Sequence, residues 1–402
     1  MNMKKPLLPK LRFPEFRGKG EWEKKRLGDC LDYLQPTAYL VSDTNYNDSY
    51  KIPVLTAGKT FILGYTNEKH GIFCEGLPVI IFDDFTTATQ FVDFPFKAKS
   101  SAMKILKSKN GTNVKFMHEI LQMISYKIGV HERHWISRFS TMQVFIPCLA
   151  EQQKIAKCLS SLDEIIVAET QKLGSYKTHK EGLMQGLFPA EGKRVPRLCF
   201  PEFKGKGEWQ KRKISNLLTR SVSSVSVELE ESYQEIGIRS HGKGIFHKEF
   251  VKGKTLGNKR VFWVEDNAFV LNIVFAWEQA VAVTSTVEKG MIASHRFPMY
   301  IAKKNKSVVN FIKYFFLTKK GKELLGIASP GGAGRNKTLG QKEFENLDFF
   351  SPSMVAEQQK IADCLSSLDE LISAQTEKLE ILKTQKKGLT QQLFPTFKDT
   401  TI

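Results

Sequence analysis

The chain has 402 residues, room for two domains of ordinary size plus connecting helices, each able to bury its own core. Sixty lysines and arginines against 42 acids give a net charge of +18, a field that favours a polyanionic partner, nucleic acid ahead of an anionic membrane surface. Six scattered cysteines without CxxC spacing argue against a disulfide scaffold or structural zinc, and no apolar segment has signal-peptide or bilayer-spanning length, so a reducing, cytoplasmic setting is expected.

In chain order, residues 9–22 (PKLRFPEFRGKGEW) come first and return as residues 196–209 (PRLCFPEFKGKGEW). Residues 27–149 follow, with β-rich runs at 51–55 and 78–82, a helical apolar pattern over 116–128 and a basic polar loop at 130–138 (VHERHWISR). Residues 151–189 then recur as residues 357–395 with 27 of 39 positions identical. The second unique region, 214–355, loosely repeats the order of the first. Strands are predicted at 268–276 and 280–286, a helix at 309–325, and a basic loop at 329–338 (SPGGAGRNKT). The two unique regions share no alignable run, so one scaffold carries two different readers, which suggests a bipartite, asymmetric target. The predicted layout is a first domain over 1–149, a long helix over 150–189, a second domain over 190–355, a second long helix over 356–395 and a tail over 396–402.

Both long repeats carry a coiled-coil seam. In the first, Ile155, Leu159, Leu162, Ile166, Leu173, Tyr176, Leu183 and Leu187 fall on alternating steps of four and three, interrupted only at Glu169 and Lys180. The second copy places Ile361, Leu365, Leu368, Ile372, Leu379, Leu382, Leu389 and Leu393 on the same stripe, with Gln375 and Lys386 at the equivalent breaks. Pairing the two copies with each other buries both stripes within one chain, the alternative being that each helix pairs with another subunit. The stripe does not fix the direction, but tandem duplication favours an antiparallel pair in which Glu169 and Gln375 can face each other. Gly174 is expected to weaken or kink the first helix, since mid-helix glycine costs about 1 kcal/mol. Each helix is expected to end at its Leu-Phe-Pro string.

Several sharper chemistries fail on inspection. Residues 237–244 (GIRSHGKG) have GxxxxGK spacing, but Gly244 stands where Ser or Thr should ligate magnesium. His131 and His134 lack a second ligand pair, so no metal site is expected. Asp83 and Asp84 follow an apolar strand without a Glu-x-Lys partner and fit a carboxylate pair capping a loop. No Asn-Pro-Pro-aromatic string is present, and no catalytic residue is expected.

The plan of two variable domains alternating with duplicated helical segments resembles the specificity subunit of type I restriction-modification enzymes. The strings RFPEFRGKGEW and FPEFKGKGEW before the domains, AEQQKIA and the LFP ending around the helices, and IGIRSHGKGIFHKE and MIASHRFPMY in the second domain carry that resemblance over nearly the whole chain. It implies a mixed α/β fold with two target-recognition domains, each reading half of a split DNA site, and an antiparallel helix pair serving as a ruler. It also implies that helices and short repeats dock two modification subunits, that restriction subunits join them, and that S-adenosylmethionine, ATP and magnesium are bound by those partners and none by this chain. The competing expectation is a free-standing bipartite DNA-binding protein or a nuclease acting alone.

DNA recognition needs cations for phosphates and Arg, Lys, Asn, Gln, Ser or Thr for base edges. In the first domain the candidates are Thr86, Thr87, Thr89, Gln90, Lys97, Lys99, Ser100, His131, Arg133, His134 and Arg138. In the second they are Arg239, Ser240, His241, Lys243, Lys254, Asn258, Lys259, Arg260, His295, Arg296, Arg335, Asn336 and Lys337.

Overall fold

The computed structural model describes residues 8–56, 58, 60–126, 133–331 and 337–395. The chain is a mixed α/β protein that divides into two units, Met1–Thr170 with Lys378–Ile402, and Gln171–Glu377. Each long repeat forms one helix of 39 residues, Leu149–Leu187 and Val355–Leu393, and the first runs without a break through Gly174 and Ser175. Each unit therefore holds the beginning of one long helix and the end of the other.

Within a unit the two helical segments run antiparallel. In the first, Asp163 meets Lys386 while Glu169, further along, meets Lys378. In the second, Lys180 meets Asp369, and Leu183 and Leu187 lie beside Cys364. Glu169 thus has Lys378 as a partner, and Gln375 is buried in the second unit. Lys180 and Lys386 are cross-helix links: each reaches an aspartate at the same repeat position of the other helix.

The seam is buried or half-buried throughout, with Ile155, Leu159, Ile361, Leu365, Leu368 and Leu379 interior and Leu162, Ile166, Leu173 and Ile372 partly covered. At its ends it serves the domain cores. Ile155 and Leu159 join Leu393, Phe394, Trp22 and Phe116 in one cluster, and Ile361 and Leu365 join Leu187, Phe188, Trp209 and Phe311 in the other. Such side chains each contribute roughly 1.5–3 kcal/mol when fully buried.

The repeated strings explain how a domain is fastened to the scaffold. Proline after Leu-Phe stops each helix and leaves the phenylalanine to dock. Phe394 stacks on Phe116 at 5.1 Å and meets Trp22 edge-on at 6.0 Å. Phe188 does the same with Phe311 at 5.5 Å and Trp209 at 5.9 Å. The buried glutamine of each EQQK string caps a domain helix: Gln152 Oε1 accepts from Asn113 N–H (2.9 Å) and Gln358 Oε1 from Val308 N–H (3.2 Å). Their side-chain amides donate to Pro147 O and Pro352 O (2.9 and 3.1 Å). A two-stranded clasp closes each domain, Glu23–Arg26 against Gln143–Ile146 and Gln210–Lys213 against Asp348–Ser351.

The first domain is built on a four-stranded antiparallel sheet ordered Leu31–Leu34, Met103–Ser108, Val79–Asp83, Thr89–Val92, covered by the helix Val114–Met123. A three-stranded sheet, Ile62–Thr66, Ile52–Leu55, Lys97–Ala98, adjoins it. The second domain has two four-stranded sheets. One is ordered Leu218–Ser221, Met299–Ala302, Phe269–Leu271, Val281–Val283, and the other Ile245–Lys252, Ser232–Ile238, Ile292–Ser294, Val261–Trp263.

Three expected elements are corrected. The helix predicted over 309–325 is two helices, Val309–Leu317 and Lys319–Ile327, because Thr318 is extended and its hydroxyl accepts from Gly321 N–H at 3.0 Å, a new N-cap. A Cβ at Gly321 would lie 2.2 Å from Phe315 O, so the corner requires glycine. The strand predicted over 268–276 is confined to Phe269–Leu271, after which Ala276–Glu278 forms a 3-10 turn. The basic loop at 130–138 contains a helical turn, His134–Ser137, whose Trp135 is interior.

Candidate nucleic-acid interface

In the first domain the exposed polar candidates gather where the strand Val79–Asp83 ends. Asp83 Oδ1 accepts from Phe85 N–H and Thr86 N–H, both at 2.8 Å, which folds the loop back on itself and presents Thr86 to solvent. Thr87 sits in the left-handed region (φ 57°), half-buried. Asp84 ties this loop to two other segments: its N–H donates to Ala102 O (3.0 Å) and its carbonyl accepts from His134 N–H (3.0 Å). Lys99 and Ser100 precede Ala102, and Arg133 and Arg138 flank His134, so Thr86, Thr87, Lys99, Ser100, Arg133 and Arg138 come to one end of the sheet. Gln90 is half-buried on the neighbouring strand.

Three candidates of this domain are interior. Thr89 accepts from Gln122 Nε2 at 2.6 Å. Lys97 pairs with Glu68 and donates to His70 O at 2.8 Å. The His134 ring is buried against Tyr126 at 5.3 Å. These side chains do not face solvent. His131 lies outside the described residues, as do Arg335 and Asn336 of the second domain.

The second domain organises its candidates around residues 272–279, a segment whose role was not apparent from the sequence. The 239–244 loop joins Ser232–Ile238 to Ile245–Lys252 and is pinned there: Ser240 Oγ donates to Glu278 Oε2 (2.9 Å), His241 N–H to Glu278 O (2.7 Å) and Gly242 N–H to Gln279 O (3.0 Å). Lys337 lies over the Trp277 ring at 5.7 Å, and Arg296 O accepts from Ile273 N–H at 3.0 Å. Arg239, His241, Lys243 and Arg296 are exposed on this frame, and the Arg239 guanidinium rests on Phe246 at 4.8 Å. The amides of Arg239 and Lys243 are also committed, to Gly244 O and Ser240 O, so with those of His241 and Gly242 four backbone N–H groups of the GxxxxGK-spaced loop are spent within the protein.

A second group surrounds the Val261–Trp263 and Ile292–Ser294 pair, where Lys254, Asn258, Arg260 and His295 are exposed and His295 N–H donates to Arg260 O at 3.1 Å. Lys259 differs, because with Lys248 it binds the buried Glu235 carboxylate. Burial raises the Glu235 pKa, but the two lysine hydrogen bonds outweigh it and hold the group below the ordinary carboxylate range. Among the described residues no cluster of His, Cys, Asp and Glu is arranged to hold a metal ion, and no helix is long and apolar enough to cross a membrane.

The arrangement is two unlike basic loop clusters on domains fastened in the same way to a duplicated helical scaffold. The family model described as "Type I restriction modification DNA specificity domain" matches residues 19–174 and 207–384. The specificity subunit of the Escherichia coli type I restriction enzyme EcoR124I/EcoR124II is 32% identical over 389 residues, covering 90% of each chain. A crystal structure of the S subunit of a type I restriction-modification system from M. genitalium superposes with a TM-score of 0.68 at 14% identity, over 97% of this chain and 100% of that one, and shares the fold. Duplicated scaffold, divergent domains and these matches lead to one conclusion: the chain belongs to the type I restriction-modification DNA specificity family.

Proposed function

We propose that this chain is the non-catalytic specificity subunit of a type I restriction-modification assembly, each domain reading one half of an asymmetric bipartite DNA site. The observation that carries this is that two domains with different sheets and different basic loops are held by the same fastenings, Gln152 and Gln358 at the helix starts and Trp22 and Trp209 against the helix ends. Such a scaffold standardises placement while leaving each loop cluster free to differ. In the first domain Thr86, Thr87, Lys99, Ser100, Arg133 and Arg138 meet DNA, and in the second Arg239, His241, Lys243, Arg296 and Lys337, with Lys254, Asn258, Arg260 and His295 beside them and Ser240 holding the loop to Glu278.

The antiparallel helices set the spacing between half-sites. They and the short repeats dock two modification subunits, which bring S-adenosylmethionine and the methylation chemistry, while restriction subunits bring nuclease and ATP- and magnesium-dependent activity. Exchanging residues 27–149 for the same region of a relative, followed by mapping of methylated adenines, tests the division of labour. One half-site should change and the other persist; a change in both halves overturns it. Purified chain alone should transfer no methyl group from radiolabelled S-adenosylmethionine to DNA. Transfer, or cutting of DNA by the chain alone, would favour an enzyme that acts by itself.

A further inference from the structure

We propose that Asp84, held by Lys104, is the positioning residue that sets the geometry of first-half-site recognition, an inference that rests on the DNA-reading role of the first domain. Asp84 and Lys104 form an ion pair with a 3.2 Å N···O separation, and their side chains are 1% and 0% exposed. A buried ion pair is weak evidence for stability, because desolvating two charges offsets their attraction and apolar replacements are often neutral or stabilising. Geometry gives it a purpose. Asp84 Oδ1 accepts from Trp135 N–H (2.9 Å), its carbonyl accepts from His134 N–H and its own N–H donates to Ala102 O. One residue thereby ties together the three segments that carry the domain's exposed candidates: the loop with Thr86 and Thr87, the turn with Lys99 and Ser100, and the helical turn between Arg133 and Arg138.

The sheet already sets the first two segments side by side, Asp83 pairing with Met103, whereas the turn at 133–138 is hydrogen-bonded to them through Asp84, so all three present a single pattern to DNA only while the node holds. Lys104 cannot swing away. It is enclosed on the central strand Met103–Ser108, with Tyr33 beneath its ammonium at 5.7 Å. Asp83, next in sequence, folds only its own loop, and the second domain pins its loop by a different device, Glu278. The effect of Asp84 is therefore confined to one half-site, and the other half-site is an internal control.

The test is selection from a duplex pool randomised over both half-sites, using the full chain with its modification partners, on wild type and two charge-neutral double variants. Asp84→Asn with Lys104→Met keeps an acceptor for Trp135 N–H and should retain both halves of the selected motif, because that hydrogen bond joins the segments and Lys104 serves to neutralise the buried carboxylate; loss of the first half in this variant overturns the positioning role. Asp84→Ala with Lys104→Met removes it and should lower the preference for matched over mismatched bases at least about tenfold in the first half, leaving the second unchanged. Arg239→Ala, run in parallel, identifies the second half. Retention of the second half shows that the second unit is folded, and hydrogen exchange of the first unit, expected to match wild type outside residues 133–138, separates repositioning from local unfolding. An Ala/Met variant that selects both halves as sharply as wild type overturns the positioning role. So does equal loss in both halves. A wild-type selection without two separated halves overturns the bipartite reading itself, and the positioning role with it.

Discussion

Lys386 of the second long helix donates to Asp163 of the first at 2.6 Å, and Lys180 of the first helix makes the same contact with Asp369 of the second. The four residues occupy two equivalent repeat positions, so duplication produced both locks at once. Each lock also holds its domain: Lys115 binds Asp163 at 2.8 Å, and the Tyr314 hydroxyl donates to Asp369 at 2.7 Å. Asp163→Asn should destabilise the first unit by about 1–2 kcal/mol, since it leaves Lys115 and Lys386 facing each other with Glu119 as the remaining acid, discounted for partial exposure. Hydrogen exchange resolved by segment should show faster opening there and little change in the second unit.

If the paired helices set the spacing, the locks define where a ruler can be lengthened. Inserting seven residues into both helices, between Asp163 and Lys180 and between Asp369 and Lys386, keeps the 3.5-residue seam in phase and both locks intact. The added length is about 10 Å, roughly three base pairs at ~3.4 Å each. Methylome mapping should find both half-sites unchanged with a correspondingly longer gap. An active enzyme that keeps its original gap would show that the helices do not set it.

The two fastenings differ in one place. Arg12 forks onto the buried Glu151 with bonds of 2.8 and 2.7 Å, and that hydrogen-bonded contact holds its guanidinium more firmly protonated. Its repeat counterpart is Cys199, which borders a cavity of about 160 Å³ with Leu183, Leu187, Leu198, Phe200, Pro201 and Cys364. Glu357, the counterpart of Glu151, accepts instead from Trp209 Nε1 at 3.2 Å, and burial pushes its pKa up. Cys199→Arg should supply the missing partner and raise stability by about 1–2 kcal/mol. Arg12→Cys should do the reverse. Urea unfolding of the two variants compares them directly.

Lys313 and His118 sit at the same position of their domain helices, each against the scaffold. Burial pushes the Lys313 ammonium down to about 8, with Asp369 opposing and Lys180 reinforcing the shift. Between about 8 and the ordinary 10.5 the unfolded chain binds more protons, so this group's penalty is complete below pH 8 and fades as pH rises. Lys313→Met should therefore raise unfolding free energy at pH 7 by on the order of 1–3 kcal/mol, with the gain disappearing towards the upper end of that window. Burial likewise pushes His118 down to about 4, with Lys115 and Lys386 adding to it, so stability held above pH 6.5 is lost as pH falls towards 4. His118→Phe should flatten that acid limb in a pH series of melting curves.

Arg239→Ala should cost about 1–3 kcal/mol at the second half-site and nothing at the first, as expected for a base-contacting arginine. Arg133→Ala or Arg138→Ala should do the converse. Fluorescence anisotropy with duplexes altered in one half at a time separates the two outcomes, and equal losses on both duplexes would assign these side chains to phosphates instead.

The sequence by itself determined the scaffold. A stripe every 3.5 residues and a duplication of 39 positions require two long helices with a buried seam, because periodicity is a local property that one strand of text displays. It also gave the loops' composition, and hence the basic candidates. The tertiary structure decided which candidates are interior: Lys97 and His134 read as solvent-facing polar residues until Glu68 and Tyr126 are seen beside them. It decided too that Gln152 and Gln358, unremarkable in a helical repeat, cap helices 39 and 50 residues away in the chain, and that Asp84 joins three loops. The physical reason is that burial and hydrogen-bond partnership depend on which distant segments meet, and a +18 composition says how much charge a chain carries without saying which charges it has already spent on itself.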